Sequence, residues 1–251
     1  MAWDARLYLN FAMERKQPCV DLLSRLNGEF SRILDLGCGP GNSTEELLKK
    51  YSKATIIGLD ADDNMLEKAR RDHPEVEFVK GRAPMDFHKL TGKFDLVFSN
   101  ACIHWIDEQE KLIAEVYRKL NDNGVFAVQI PLTSESQFYK ILYRLVEQKW
   151  TKLKEIKNFR NWDSVGYYNM LTKQFKSIAI WRSDYYHVVD KSRILEWYQG
   201  SGLRPYLAAL QEGEQKEFLK DLQESIDKEY SVLEDGNVFL IMPRLFFTAE
   251  K

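Results

Sequence analysis

Residues 33–43 read Ile33-Leu34-Asp35-Leu36-Gly37-Cys38-Gly39-Pro40-Gly41-Asn42-Ser43. A short apolar strand runs here into a glycine-rich turn, and the turn opens a helix. Glycine lets the backbone approach a ligand closely, and the free N–H groups at a helix N-terminus attract anionic groups. The stretch therefore predicts a nucleotide-like cofactor that carries an anionic group.

The spacing of the glycines separates classes of cofactor. The turn is G-x-G-x-G, and Asn42 denies it the G-x-G-x-x-G register of nicotinamide and flavin folds. It also lacks the Gly-Lys-Ser/Thr sequence of a phosphate-binding loop. Asp60 ends the next apolar run, where a carboxylate can accept hydrogen bonds from both ribose hydroxyls. A helix N-cap is the alternative role for Asp60. Because NAD-dependent enzymes also have an acidic residue at this point, only the spacing of the glycines disfavours an NAD-dependent enzyme.

From residue 31 to about residue 131, apolar runs alternate with helical stretches, which is typical of a parallel sheet with crossover helices. The candidate strands are Arg32–Leu36, Thr55–Asp60, Val76–Lys80, Phe94–Ser99 and Gly124–Ile130. Helices are predicted at Ser43–Tyr51, Asp63–Asp72 and Gln109–Leu120, because each begins with a polar or acidic residue. This order predicts an α/β fold with a Rossmann-like, doubly wound and mostly parallel sheet.

The remainder of the chain departs from this alternation. Helical runs around Gln137–Lys154 and Ser164–Lys173 lead to a strand at Ile178–Val189, and two further helices precede a last strand at Val238–Ala249. The last two strands are predicted to pair antiparallel at the sheet edge. Within one domain of residues 1–251 we therefore expect an N-terminal helical cover, a cofactor-binding core, a small helical cap inserted before the last strand, and a final edge strand, at residues 1–30, 31–188, 189–236 and 237–251.

Composition narrows the classes of partner. The 251 residues carry 36 Lys and Arg against 38 Asp and Glu, a net charge of −2, with no basic block of the kind that binds nucleic acid. No apolar stretch is long enough to span a membrane, and the first residues lack a secretory signal pattern. Three widely spaced cysteines indicate neither a disulfide framework nor a metal site. A cytoplasmic protein with a small-molecule partner, monomeric by default and without a metal, is expected.

Residues 34–41 resemble the first motif of class I S-adenosylmethionine (AdoMet)-dependent methyltransferases. The likeness extends from about Trp3 to the C-terminus, where the chain resembles the bacterial trans-aconitate 2-methyltransferase family. It is carried by Tyr8-Leu9-Asn10-Phe11, Gly41-Asn42-Ser43-Thr44, Phe98-Ser99-Asn100-Ala101, Ala127-Val128-Gln129-Ile130-Pro131, Ile180-Trp181-Arg182, Tyr185-Tyr186-His187, Gly202-Leu203-Arg204-Pro205 and Pro243-Arg244-Leu245-Phe246.

The resemblance implies a set of cofactor-binding residues: Asp35, Gly37, Cys38, Gly39, Gly41, Asp60, Ala61, Met65, Arg82, Ala83, Asn100, Ala101 and Trp105. Asp35 and the glycines would contact the methionine end of AdoMet, Asp60 the ribose and Met65 the adenine. Asn100 and Ala101 would line the methionyl portion near the sulfonium. Arg82 departs from the family, which often has an acidic residue there that accepts a hydrogen bond from the adenine amino group. An arginine cannot accept that bond.

The same resemblance implies a substrate with several carboxylates, such as trans-aconitate. No Asn/Asp-Pro-Pro-aromatic run follows the fourth strand, which favours O-methylation of a small molecule over methylation of an amide or amine. Arginines suit such a substrate because the guanidinium binds a carboxylate with two hydrogen bonds. The candidate substrate residues are Tyr8, Arg15, His104, Trp105, Arg182, Tyr186, His187, Arg204 and Arg244. Surface ion pairs are the alternative for each arginine, a solvated side chain for His104, and a structural position under the next helix for Trp105.

The predicted reaction needs positioning more than proton transfer. A carboxylate with an ordinary pKa near 4 is ionised at neutral pH and can attack the methyl group in line. We therefore expect no catalytic acid or base, and S-adenosyl-L-homocysteine as the second product. Two alternatives stay open: methylation of a malonyl group on a carrier protein, and a non-catalytic AdoMet-binding protein.

Overall fold

The computed structural model describes residues 12–156 and 162–251, with side chains described from Lys16 onward. The described strands are β1 Arg32–Leu36, β2 Thr55–Asp60, β3 Glu77–Lys80, β4 Phe94–Asn100, β5 Leu120–Pro131, β6 Ser177–Val189 and β7 Val238–Glu250. The described α-helices are α1 Ala12–Ser24, α2 Asn42–Lys50, α3 Asp63–Asp72, α4 Gln109–Lys119, α5 Gln137–Gln148, α6 Ser164–Leu171, α7 Arg193–Gln199, α8 Arg204–Ala208 and α9 Glu212–Glu229. Tyr8 and the side chain of Arg15 lie outside the described part.

The strands form one sheet in the order β3-β2-β1-β4-β5-β7-β6. The pairs β1–β2, β2–β3, β1–β4 and β4–β5 are parallel, and β7 runs antiparallel to β5. The order reverses between β1 and β4, because the chain first builds outward to β3 and then returns to the other side of β1. In open α/β sheets, ligands bind outside the carboxyl ends of the strands at such a reversal.

The central strands are apolar along their whole length because both faces of a parallel sheet are covered. In β1, Ile33, Leu34 and Leu36 are buried, and in β4 the run from Phe94 to Phe98 is almost entirely buried. Each crossover helix contributes one apolar stripe, such as Leu112, Ile113 and Val116 of α4. The predicted α/β fold class is confirmed by this topology.

Two compact bodies are distinguished within the chain. The first comprises Arg15–Pro131, Trp162–Ser183 and Arg244–Lys251, and it contains β1 to β5 with residues 177–183 of β6 and residues 244–250 of β7. It holds the glycine-rich turn and the carboxyl ends of the parallel strands.

The second body is built, among the described residues, from residues 12–14, 132–156 and 184–243. Its core is aromatic: the rings of Phe138 and Tyr198 stack with centroids 3.5 Å apart, and Trp150 packs edge-on against Phe218. Helices α7, α8 and α9 lie between β6 and β7 in the chain. The body takes in more of the chain than residues 189–236, because α5 shares its apolar core with these helices.

Several element bounds differ from the prediction. Helix α5 ends at Gln148 and a separate 3-10 turn follows at Thr151–Leu153, where a single helix to Lys154 was expected. Strand β5 begins at Leu120, earlier than the predicted Gly124. Helix α8 at Arg204–Ala208 was not predicted, because its five residues follow a glycine-rich turn and contain Pro205. Among residues 12–156 and 162–251, no helix is long and apolar enough to cross a membrane.

Candidate active site

The glycine-rich turn lies where the strand order reverses, at the carboxyl end of β1. Gly37, Gly39 and Gly41 all have positive φ angles, of 74°, 53° and 95°. The N–H groups of Gly37 and Cys38 donate to the carbonyl of Leu59 at the end of β2, which fixes the turn against the neighbouring strand. A Cβ on Gly39 would have no atom within 4 Å, so open space lies above it. The turn is thus held from one side and open on the other.

Asp35 supports this turn from beneath. Its carboxylate is fully buried and accepts hydrogen bonds from Ser43 Oγ at 2.8 Å and Thr44 Oγ1 at 2.6 Å, both in the first turn of α2. Burial raises the pKa of Asp35 to about 6, although the two hydroxyl groups lower it in part. The residue was predicted to contact the cofactor itself. Its carboxylate lies against the helix that the glycine turn opens, and the contact with the cofactor stays a prediction.

Asp60 faces the turn from the end of β2. Its Oδ2 accepts a hydrogen bond from the Gly39 N–H at 2.9 Å, and its Oδ1 accepts one from the Asp62 N–H at 2.9 Å. Burial raises the pKa of the Asp60 carboxyl, and these backbone donors counteract the shift. The N-cap role considered as the alternative falls to Asp62, whose side chain accepts from the Met65 N–H at the start of α3. A carboxylate can accept about four hydrogen bonds, so Asp60 keeps capacity beyond its backbone donors.

The segment after β4 closes against the same turn. Asn100 ends the strand, and Ala101 follows with a positive φ of 53°, its N–H donating to the Gln129 carbonyl at 2.9 Å. This turn brings Cys102 over Gly37, where a Cβ on the glycine would lie 2.1 Å from the Cys102 Sγ. The two loops at the switch point are therefore packed together with no room for a larger side chain at residue 37.

His104 and Trp105 lie on the short 3-10 helix Ile103–Trp105 that follows. His104 is 2% exposed, whereas Trp105 is 44% exposed, and their ring centroids are 5.4 Å apart. Burial lowers the pKa of His104 to about 3, with a further contribution from the positive charge of Arg244. The imidazole is therefore neutral at physiological pH and lies near the Arg244 guanidinium.

A buried polar pair anchors this short helix. Gln109 Nε2 donates to the Ile103 carbonyl at 3.1 Å, and Gln109 Oε1 accepts from the Tyr167 hydroxyl at 2.7 Å. Gln109 and Tyr167 are both buried. Position 104 is thereby held from below by a hydrogen-bonded network.

The predicted adenine side lies around the start of α3 and the end of β3. Met65 is buried in the first turn of α3, and Ala61 is exposed just before it. Arg82 is exposed, and its backbone N–H donates to Asp86 Oδ2 at 2.7 Å. Ala83 is half-buried beside it. No side-chain acceptor stands at position 82 itself, as expected for arginine.

The remaining substrate candidates are distributed over both bodies. Arg244, half-buried in β7, lies in the first body with His104, whereas Arg182 of β6 is exposed. Tyr186, His187 and Arg204 belong to the second body, where Tyr186 is 59% exposed and the His187 ring lies 5.2 Å from that of Trp197. The alternation of β6 therefore exposes Arg182 and Tyr186 and half-buries Trp181, Tyr185 and His187.

Two features of the site were assigned no role from the sequence, although the stretches that contain them carry the family resemblance. Ser43 and Thr44 hold the carboxylate of Asp35. Gln129 is buried in β5 at the position paired with Asn100. A single polar residue within the apolar run Val125–Ile130 was the available signal for it. Among the described residues, no group of three or more His, Cys, Asp or Glu side chains is placed to hold a metal ion.

Comparison with known proteins agrees with the geometry. A family model described as a methyltransferase domain matches residues 33–124. The trans-aconitate 2-methyltransferase of Enterobacter sp. (strain 638) is 34% identical and covers 99% of this chain and 98% of that protein. The protein of the same name from Rhizobium etli is 36% identical and covers 100% of both chains.

Solved structures show the same fold at low identity. The YcgJ protein of Bacillus subtilis has a TM-score of 0.61 at 17% identity, covering 94% of this chain and 98% of that one. A phosphoethanolamine N-methyltransferase 2 of Haemonchus contortus, solved with S-adenosyl-L-methionine, has a TM-score of 0.56 at 20% identity, covering 94% of this chain and 52% of that one. With the full-length likeness to the named relatives, this confirms the resemblance seen in the sequence: the chain belongs to the trans-aconitate 2-methyltransferase family.

Proposed function

We propose that this methyltransferase moves the methyl group of AdoMet onto a carboxylate of trans-aconitate or a closely similar di- or tricarboxylic acid. One observation carries the proposal: relatives 34% and 36% identical over their whole lengths are trans-aconitate 2-methyltransferases. The glycine turn at the strand reversal supports it, because that is where an α/β sheet receives a cofactor.

The chemistry of the residues around the turn supports AdoMet as the cofactor. The space above Gly39 would receive the methionine end, close to the N–H groups of the turn. Asp60, next to Gly39, would accept the ribose hydroxyls with the free capacity of its carboxylate. Asn100 and Ala101 would line the methionyl portion, and Ala61, Met65 and Ala83 the adenine. AdoMet, when bound, supplies an electrophilic methyl group on a sulfonium.

Asp35 would act on the cofactor through the turn. Its fully buried carboxylate holds Ser43 and Thr44, so it fixes the start of α2 and with it the glycine backbone. Gly37, Cys38 and Gly41 set the path of that backbone. Arg82, which cannot accept a hydrogen bond from the adenine amino group, leaves adenine recognition to backbone groups and to packing.

The chain's side chains would perform the reaction by orientation. A substrate carboxylate is ionised at neutral pH and needs no base to become a nucleophile. His104 is a candidate for such a base, but its pKa is lowered to about 3, so it does not change charge between pH 6 and 8. Positioning alone is worth about 7–11 kcal/mol when reacting groups are held in attack geometry. The role of His104 is therefore to shape the site as a neutral ring.

Arginines would hold the carboxylates that do not react. Arg244 is the best supported of the three, because it is half-buried in the same body as the glycine turn and its charge reaches His104. Arg204 is half-buried in the second body and Arg182 is exposed, and both stay candidates. The other residues that stay candidates for contact with the substrate are Tyr8, Arg15, Trp105, Tyr186 and His187.

A turnover screen tests the proposal. The protein is incubated with AdoMet and a series of small di- and tricarboxylates, and mass spectrometry detects a gain of one methyl group. Trans-aconitate is expected among the best substrates. Its kcat should not change with pH between about pH 6.5 and 8. Turnover of a carrier-bound malonyl group, with none of the free acids, would replace the proposal by the carrier-protein reaction. Binding of AdoMet without turnover of any acid would indicate a non-catalytic protein.

We further propose that the chain acts as a cytoplasmic monomer with a small-molecule substrate and without a metal or nucleic acid. The near-neutral balance of 36 basic and 38 acidic side chains supports the part of this proposal that concerns nucleic acid. Light scattering at micromolar protein concentration measures the oligomeric state.

A further inference from the structure

Gln129 is the one polar residue in the apolar run Val125–Ile130 of β5. It is 1% exposed, and its Nε2 is buried with no hydrogen-bond partner among the described residues. Buried amide groups nearly always have partners, because an unsatisfied donor loses its hydrogen bonds to water without replacement. An unpartnered donor in the middle of a well-formed strand indicates a group that awaits a ligand.

On the neighbouring strand, Asn100 carries a buried acceptor that has no partner among the described residues. It pairs with Gln129 in the register of β4 and β5, so the two side chains lie on the same face, with their strands about 4.8 Å apart. The buried acceptor of Asn100 is its Oδ1. An unsatisfied acceptor and an unsatisfied donor therefore stand side by side at the carboxyl ends of two central strands.

The same face carries positive charge next to Gln129. In the antiparallel register of β5 and β7, Gln129 pairs with Phe246 and Pro131 with Arg244, so Gln129 and Arg244 point to the same side. The Phe246 ring is covered by Trp181, with centroids 5.2 Å apart and planes 9° apart. This leaves an amide donor and a guanidinium along one row, beside an aromatic wall.

We propose that Gln129 is a substrate-positioning residue whose Nε2 donates a hydrogen bond to a carboxylate oxygen of the acid, on a carboxylate that is not methylated. The carboxylate oxygens of the acid accept hydrogen bonds and therefore need donors on the protein. The ammonium group of AdoMet needs an acceptor, which Asn100 Oδ1, unpartnered among the described residues, would provide. A hydrogen bond to the reacting oxygen would lower its nucleophilicity, so Gln129 serves a carboxylate that stays in place during transfer. The proposal rests on the carboxylate methyltransferase function proposed above.

The test compares steady-state kinetics of the wild type with Q129M, which keeps the volume and removes the donor. We expect KM for trans-aconitate to rise about tenfold or more, the effect of removing a hydrogen bond to a charged group, while KM for AdoMet changes less than about twofold. Q129E, the isosteric carboxylate, should raise KM for the acid further because it repels the substrate. Calorimetric titration with S-adenosylhomocysteine should give the same Kd for all three proteins.

Stability distinguishes a ligand-facing amide from a structural one. Gln109 is the matched control, since it is also buried but hydrogen-bonded at both ends of its amide. Q109M should lower Tm because it leaves Ile103 and Tyr167 unsatisfied, whereas Q129M should leave Tm of the ligand-free protein unchanged or raise it. A fall in Tm for Q129M equal to that of Q109M would show a structural role and overturn the proposal.

The substrate supplies a further check. Dicarboxylates that each omit one carboxylate of trans-aconitate are compared as substrates of the wild type and Q129M. For the analogue that lacks the carboxylate held by Gln129, the ratio of the two kcat/KM values should approach one. An unchanged KM for the acid, or a rise confined to KM for AdoMet, would overturn the role of Gln129. Failure of the wild type to methylate any acid would refute the proposed function itself and is recognised before any variant is made.

Discussion

The side chain of Cys102 lies directly over Gly37, so close that a Cβ on the glycine would stand 2.1 Å from Sγ and 2.3 Å from the cysteine Cβ. The loop after β4 and the turn after β1 thus meet where the strand order reverses. The glycine at residue 37 is required by its neighbour as well as by its positive φ of 74°.

Gly37→Ala should therefore destabilise the protein strongly, by about 3 kcal/mol or more, because left-handed backbone strain adds to overpacking. Gly39→Ala is the matched variant: its φ of 53° is strained, but no atom lies within 4 Å of the added methyl group. It should lose only about 1–2 kcal/mol and should still impair AdoMet binding, because the methyl group enters the space above the turn. Urea unfolding and calorimetry measure the two effects, and equal loss of stability in both variants would contradict the packing argument.

Asp35 should make stability depend on pH in an unusual direction for a carboxylate. Burial raises its folded-state pKa from 3.8 to about 6. Folding therefore favours the protonated form: the stability it contributes is fully present below about pH 4 and is lost as the pH rises through 6. A shift of this size corresponds to about 3 kcal/mol.

Asp35→Asn removes that titration and keeps an acceptor for Ser43 or Thr44. Between pH 4.5 and 8, the unfolding free energy of this variant should increase relative to that of the wild type by about 2 kcal/mol, because only part of the titration falls in this range. Urea unfolding across this range measures the difference. The Thr44→Val variant should move the transition to higher pH, since the hydroxyl of Thr44 lowers the pKa. A difference that does not vary with pH would show that Asp35 is not protonated on folding.

The titration of His104 should make stability depend on pH in the opposite direction. Burial and the charge of Arg244 lower its folded-state pKa from 6.5 to about 3. The stability from the neutral ring is present above pH 6.5 and is lost as the pH falls toward 3, because the unfolded chain takes up the proton first. His104→Gln should abolish this loss, so the wild type should fall by about 2 kcal/mol relative to the variant between pH 7 and 5. Parallel curves for the two proteins would contradict a buried neutral histidine.

Much of the first body could be predicted from the sequence. The strands Arg32–Leu36 and Thr55–Asp60 and the helix Asp63–Asp72 have the predicted bounds, because continuous apolar runs end at glycine or acidic residues. These signals are local. The prediction of a parallel sheet with a glycine turn at its carboxyl edge needs nothing beyond them.

The side-chain environment of the site could not be predicted in the same way. Alternation along β6 separates Arg182 and Tyr186 from Trp181 and His187 but does not say which set is buried. That choice depends on ring packing such as Trp181 on Phe246, which joins residues far apart in the chain. The burial of His104 likewise depends on a tertiary neighbourhood that includes Arg244.

Asp60 should control affinity for AdoMet. Asp60→Asn leaves one of the two backbone donors, Gly39 or Asp62, without its carboxylate acceptor and weakens the grip on the ribose. Loss of hydrogen bonds to a charged group should raise Kd for AdoMet about 10- to 100-fold. Asp63→Asn, three residues away and exposed in an ion pair with Lys80, is the control and should leave Kd unchanged. Calorimetric titration of both variants compares them, and equal affinities would exclude Asp60 from the cofactor site.

Arg244 and Arg182 should differ in their effect on the acid substrate, although both lie on strands of the first body. Arg244 is half-buried near His104, and Arg182 is exposed. Lysine keeps the charge but loses the planar pair of donors, so Arg244→Lys should raise KM for trans-aconitate about tenfold or more, while KM for AdoMet stays level. Arg182→Lys should change KM for the acid by less than about twofold, as for an exposed charge. The reverse order, measured by initial rates at saturating AdoMet, would place the exposed face of β6 at the substrate and remove Arg244 from it.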